Sequence, residues 1–187
     1  MYKADVWVWV DSKGWKESPK RYHYSVEGEF KGKALRSFGC TQDENGEEVA
    51  VSATWDRITL MGIAEALERF RQNAEVTIHC ENYGVLSSID HDLERWKGNG
   101  FIGSTKKEIK NVDLWRRVAA KSNMLKLVTD HVGFDRVDEL RDHVFAKEKE
   151  EYESQRSSGT GGSICTNSCN GAGIQGEQVR RDGGGGS

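Results

Sequence analysis

Between Arg95 and Lys121 the chain carries eight basic residues (Arg95, Lys97, Lys106, Lys107, Lys110, Arg116, Arg117 and Lys121) against two acids, Glu108 and Asp113. That segment is +6 in a chain whose formal net charge is −3, so the remaining residues hold −9. A local basic patch on an acidic body suits contact with a polyanion at one place, because ammonium and guanidinium groups bind phosphate oxygens without reading sequence. On charge alone, a solvated helix face is the simpler explanation.

Two words inside the patch sharpen it: Trp96-Lys97-Gly98-Asn99-Gly100-Phe101, and Lys110-Asn111-Val112-Asp113-Leu114-Trp115. Together they closely resemble the basic handle of the type 1 ribonuclease H family, a helix ending in Trp-Lys, a glycine turn, and a second helix. The resemblance spans roughly residues 5–146. It implies that Lys97, Lys106, Lys107, Lys110, Arg116 and Arg117 contact phosphates of a nucleic-acid duplex. It also implies a centre of four acidic residues holding two divalent metals, Mg²⁺ or Mn²⁺. Such hard cations take oxygen ligands, activate a water and stabilise the leaving oxygen of a phosphodiester.

Asp11, in Val10-Asp11-Ser12-Lys13-Gly14, matches the first ligand of the family. Asp5 lies at the wrong end of its strand. The second ligand is a glutamate in an Arg-Met-Glu-Leu-like word, and this chain reads Arg57-Ile58-Thr59-Leu60, with a neutral hydroxyl at that place. Glu65 is turned about 120° away on the same helix, whereas Asp56 is only about 60° away. Asp56 is also read as the helix N-cap. Glu81, in His79-Cys80-Glu81-Asn82, matches the third ligand with one extra methylene. A helix-terminal acid favoured by the dipole is its structural alternative. Asp130-His131-Val132-Gly133 resembles the family's histidine loop, making His131 the proton shuttle or product-release residue. Asp142 and Asp138, one turn apart, are both candidates for the fourth ligand, Asp142 being preferred by its distance from His131.

The elements that must position these residues follow from pattern. Residues 4–10, 21–29 and 33–40 read as a three-strand meander, rich in β-branched and aromatic side chains, with Gly28 and Gly32 near a hairpin connection. Residues 57–72 read as a helix, 75–80 as a strand, 82–96 and 112–121 as helices, 125–129 as a strand, and 135 to about 155 as a terminal helix. Alternation after a meander predicts an α/β fold: a ribonuclease H-like, five-stranded mixed sheet with helices on both faces. Trp96 and Trp115 are expected to brace the handle. Trp15 is expected to pack on a neighbouring loop, with stacking on a base or sugar as its alternative.

A domain over 1–156 is followed by a glycine-rich stretch, 157–187. Ten of the 21 glycines fall between Gly159 and Gly186, a composition expected of a disordered tail or linker. Cys40, Cys80, Cys165 and Cys169 show no metal or disulfide spacing and read as free thiols, with a reducing cytoplasm the expected setting. No run is apolar enough to span a bilayer, no signal peptide is recognised, and a monomer is expected.

The expected activity is metal-dependent endonucleolytic hydrolysis of the RNA strand of RNA–DNA hybrids, weakened by Thr59. The alternative is a catalytically silent nucleic-acid-binding module of the same fold. A DNA-cleaving nuclease of that fold is a third reading, because the glycine-rich run linked to hybrid selection is missing after Asp11.

Overall fold

The computed structural model describes residues 1–145. The tail 157–187, with Cys165 and Cys169, and the expected continuation of the last helix to about residue 155 lie outside the described residues.

The first strand, β1 (Tyr2–Val10), alternates strictly: Ala4, Val6, Val8 and Val10 are buried on one face. Asp5, Trp7 and Trp9 therefore point to the other face, as the two-residue period of a strand requires. After the loop comes a short strand, β2 (Ser18–Lys20), then β3 (Tyr22–Phe30) and β4 (Lys33–Cys40). β3 and β4 turn at Lys31 and Gly32, whose φ values of 53° and 75° form the left-handed two-residue turn that suits strand twist. β5 (Val51–Ala53) pairs antiparallel with β2, a small two-stranded sheet absent from the sequence expectation. Lys20, fully buried there, donates to the carbonyls of Ala53 (2.9 Å) and Lys16 (3.2 Å).

α1 (Trp55–Glu68) follows, then β6 (Ala74–Cys80), α2 (Tyr83–His91), α3 (Leu93–Asn99), α4 (Val112–Ser122) and β7 (Leu125–His131). A 3₁₀ turn, Phe134–Arg136, leads into a last helix, α5, over residues 137–145. The main sheet has the order β4-β3-β1-β6-β7. β1 is antiparallel to β3 and parallel to β6, and β6 is parallel to β7. The five-stranded mixed sheet of the sequence reading is thus present, with helices on both faces.

Against the even-residue face of β1 lies the main core, including Ile58, Ile63, Ala66 and Leu67 of α1 and Val118 of α4. α1 approaches closely because it presents a glycine: a Cβ on Gly62 would stand 2.9 Å from Val8 Cγ1 and 3.1 Å from the Tyr22 ring. On the opposite face, α5 lays Leu140 and Val144, with Val132, against Trp7 and Trp9. Trp7 also stacks on His79 at 3.8 Å between ring centroids, and His143 of α5 reaches Glu27 at 2.6 Å.

Two local expectations are corrected. The N-cap of α1 is Thr54, whose hydroxyl accepts from the Arg57 amide at 3.3 Å, so the helix starts earlier and Asp56 sits inside its first turn. The helix expected over 82–96 is two helices broken at Asp92, where φ is −109°.

Because α1 is seated this closely, Gly62→Val is expected to destabilise the fold by about 1–3 kcal/mol, the usual cost of overpacking. A urea melt checks this; an unchanged midpoint would mean that the helix shifts freely on the sheet.

Candidate functional site

β1 and β6 run parallel side by side, so the loops leaving their C-terminal ends emerge together. Such sheet ends form natural crevices. Asp11 follows β1, Glu81 follows β6, and His131 ends β7, whose register sets Cys80 beside His131. The amide of Trp55 donates to the Gly14 carbonyl at 2.9 Å and ties the loop after β1 to the start of α1.

The candidate residues at this edge are already engaged. Asp11 accepts from the Arg21 amide at 2.9 Å and lies 3.5 Å from the Arg21 guanidinium. Glu81 accepts from the Lys13 ammonium. Buried Thr59 donates its hydroxyl to the Trp55 carbonyl one turn back, at 2.8 Å. Asn82 caps α2 through Val85 N (3.1 Å) and donates to Asp56 at 2.9 Å, so Asp56 is engaged by a side-chain amide. His131 Nε2 donates to the Glu81 carbonyl at 3.1 Å, and its ring meets Tyr83 edge-on at 5.5 Å. At the end of β6, burial pushes the Cys80 thiol up to about 12, which keeps it protonated and inert.

On α5 the residue that reaches this edge is Leu140, which lines a small recess with Thr59, Glu81 and Asn82. Asp138 and Asp142 are each two residues from Leu140, hence about 200° around the helix. Both are exposed, and Asp142 contacts Arg141 at 3.2 Å. Among the described residues, no three His, Cys, Asp or Glu side chains are grouped as a metal site. The residues present do not fit a pair of divalent cations. Asp11 and Glu81 are each held by a protein cation, the Thr59 hydroxyl is already given to a backbone carbonyl, and the α5 residue in the recess is a leucine. Two such ions need several carboxylates converging on them, because each keeps hard oxygen ligands around it.

The basic segment is a built structure. α3 ends on Gly100, whose φ of 73° gives the left-handed stop favoured by glycine. The following loop is pinned by Asn99, which donates to and accepts from Ile102 at 2.9 and 3.2 Å. Trp96 and Trp115 meet edge-to-face at 5.1 Å with Trp115 buried, the bracing expected of them. Arg57 grips Asp113 through two bonds of 3.1 and 2.8 Å and reaches Asn111 at 3.2 Å, locking the start of α4 to the start of α1.

The six expected phosphate contacts divide in two. Lys97 is held by Glu94 (2.8 Å) and Ser122 (3.1 Å), Arg116 by Glu108 (2.8 Å), and Arg117 by Glu68 through two bonds of 2.8 and 2.9 Å. Lys106, Lys107 and Lys110 have no ion-pair partner among the described residues. Lys110 lines a cleft of about 220 Å³ with Asp56, Gly84, Trp96, Asn111 and Trp115.

Sequence reasoning missed Lys13, Arg21 and Leu140. Lys13 had a local signal, a basic residue two places after Asp11; Arg21 and Leu140 are brought in only by strand register and helix rotation.

No family profile matches the chain. Over 96 residues it is 33% identical to the protein named "Ribonuclease H" in Parvibaculum lavamentivorans, a match covering 48% of this chain and 64% of that protein. "Ribonuclease H" of Francisella tularensis subsp. novicida is 25% identical over 135 residues, covering 65% of this chain and 89% of that protein. Among solved structures, LC9-RNase H1, described as a type 1 RNase H with the type 2 active-site motif, aligns with a TM-score of 0.54 and 14% identity. That alignment covers 90% of this chain and 79% of the other. The chain is a divergent ribonuclease H-like domain.

The Arg57 hydrogen bonds hold the Asp113 carboxyl below its ordinary value of 3.8. A depressed carboxyl contributes stability that is present above its unfolded value and lost as pH falls through the folded one. Stability measured by denaturant titration is therefore expected to drop more steeply below about pH 4 in the parent than in Asp113→Asn. Identical pH profiles would show that the pair does not hold the handle.

Proposed function

We propose that this domain binds nucleic-acid duplexes through its basic handle and does not cleave them. Carrying this reading is the state of the strand-end carboxylates. Lys13 and Arg21 already neutralise Glu81 and Asp11, while Thr59 and Leu140 stand where two further acids would be needed. The likeness to proteins named ribonuclease H supports a nucleic-acid partner, and an RNA–DNA hybrid is the duplex that name suggests. Lys106, Lys107 and Lys110, without ion pairs among the described residues and set on a braced loop, supply the phosphate contacts.

The test is fluorescence anisotropy with a labelled RNA–DNA hybrid at rising salt, beside a cleavage assay with Mg²⁺, Mn²⁺ or chelator. Binding is expected to weaken steeply with salt. Lys107→Ala and Lys110→Ala should each reduce the salt slope by about one, evenly across sequences. Lys97→Ala is expected to change it less, because that ammonium is already paired. No metal-dependent cutting is expected; cutting that disappears in Asp11→Asn would establish the nuclease reading instead.

Thr59→Glu tests the site separately. Lys13 still holds Glu81 and Leu140 still lines the recess, so this single change is expected to leave cleavage undetectable while lowering stability, because it buries a carboxylate. Appearance of cleavage in Thr59→Glu would mean that the rest of the metal site is competent.

A further inference from the structure

Three large aromatic rings are left in water at one edge of this molecule. Phe134 is 87% exposed, Trp15 83% and Tyr83 64%. Trp15 does not pack on a neighbouring loop, contrary to the expectation for it. All three belong to segments that leave the C-terminal ends of the parallel strands: Trp15 after β1, Tyr83 after β6 and Phe134 after β7. The sequence scatters them over more than a hundred residues, and the parallel topology gathers them.

Tyr83 and Phe134 are also linked through a chain of contacts. Tyr83 meets His131 edge-on at 5.5 Å, and His131 donates to the backbone of Glu81. Glu81 holds Lys13, whose ammonium stands 4.9 Å from the centre of the Phe134 ring. Lys16 lies 5.4 Å from the centre of the Trp15 ring. Two of the three rings therefore carry a cation within cation–π range. Tyr83 is adjacent to Gly84, which lines the cleft under the handle together with Lys110. One of the three rings thus stands beside the cleft that Lys110 lines.

Exposed rings interleaved with cations match the chemistry of unpaired nucleobases joined by phosphates. Every base has a π-face to stack, and every linkage has a charge to neutralise. An apolar protein partner would leave Lys16 facing nothing of opposite sign among the described residues, whereas Lys13 already has Glu81. We propose that Trp15, Phe134 and Tyr83, with Lys13 and Lys16, form a stacking subsite for single-stranded nucleotides adjoining the duplex bound by the handle. This rests on the duplex-binding reading above. Under it, the domain prefers duplexes with a single-stranded extension, such as junctions and frayed ends, over blunt ones.

The experiment compares the full chain binding three labelled hybrids: blunt, with an overhang of about six nucleotides, and with the same overhang made abasic. The native overhang is expected to bind about tenfold tighter than the blunt duplex, a modest return from one or two stacked bases. The abasic overhang, which keeps the phosphates, is expected to lose that gain. Trp15→Ala and Phe134→Ala are each expected to remove most of the gain and leave blunt affinity unchanged; Trp15→Phe is expected to retain it. Equal binding of blunt and overhung duplexes, or of native and abasic overhangs, would overturn the stacking subsite and leave duplex binding standing. Failure to bind any of the three would overturn both readings and turn the rings into a candidate protein contact.

Discussion

Everything in this domain depends on β1 being covered on both faces and paired on both edges. Its even residues meet α1 and the main core; its odd residues, Trp7 and Trp9, meet α5. One edge pairs antiparallel with β3 and the other parallel with β6. A strand so enclosed cannot slip by one residue without exchanging valines for tryptophans and an aspartate. The fixed register in turn fixes the direction in which Asp11, Lys13 and Trp15 leave the sheet.

Charge is distributed so that two regions of the same molecule behave differently. At the strand ends, acids and bases cancel in pairs, and the edge presents rings and cations to solvent. On the handle, glutamates occupy Lys97, Arg116 and Arg117, while among the described residues no acid pairs with Lys106, Lys107 or Lys110. Exposed ion pairs contribute little stability, so their main consequence here is to decide which cations stay open to solvent. The Arg57–Asp113 pair is of another kind, joining the starts of two helices and so positioning the open lysines against the body.

Much of the fold was legible in sequence because hydrophobic period survives divergence. The meander, the crossover helices and the mixed sheet all follow from apolar residues recurring at two or at three to four places. What failed was local. Thr54 and Asp56 are both acceptable caps, and the choice depends on where the chain enters α1, which the Trp55–Gly14 bond decides. The break at Asp92 is invisible in a periodic pattern that continues through it. The β2–β5 pair joins segments too short to carry a period at all.

The site divides the same way. The sequence by itself determined that a basic segment lies between Arg95 and Lys121, that acids follow β1 and β6, and that Thr59 stands where the resemblance implies a carboxylate. These are statements about residue type and order, which local words record. Only the tertiary structure decided that Lys13 reaches Glu81, that Arg21 reaches Asp11, and that α5 turns Leu140 inward while Asp138 and Asp142 face water. The rotation of a helix is set by which of its sides buries the most apolar surface. Leu140 and Val144 packing on Trp7 and Trp9 outweigh any preference of two solvated aspartates. That energy is shared across distant segments, so no local word contains it.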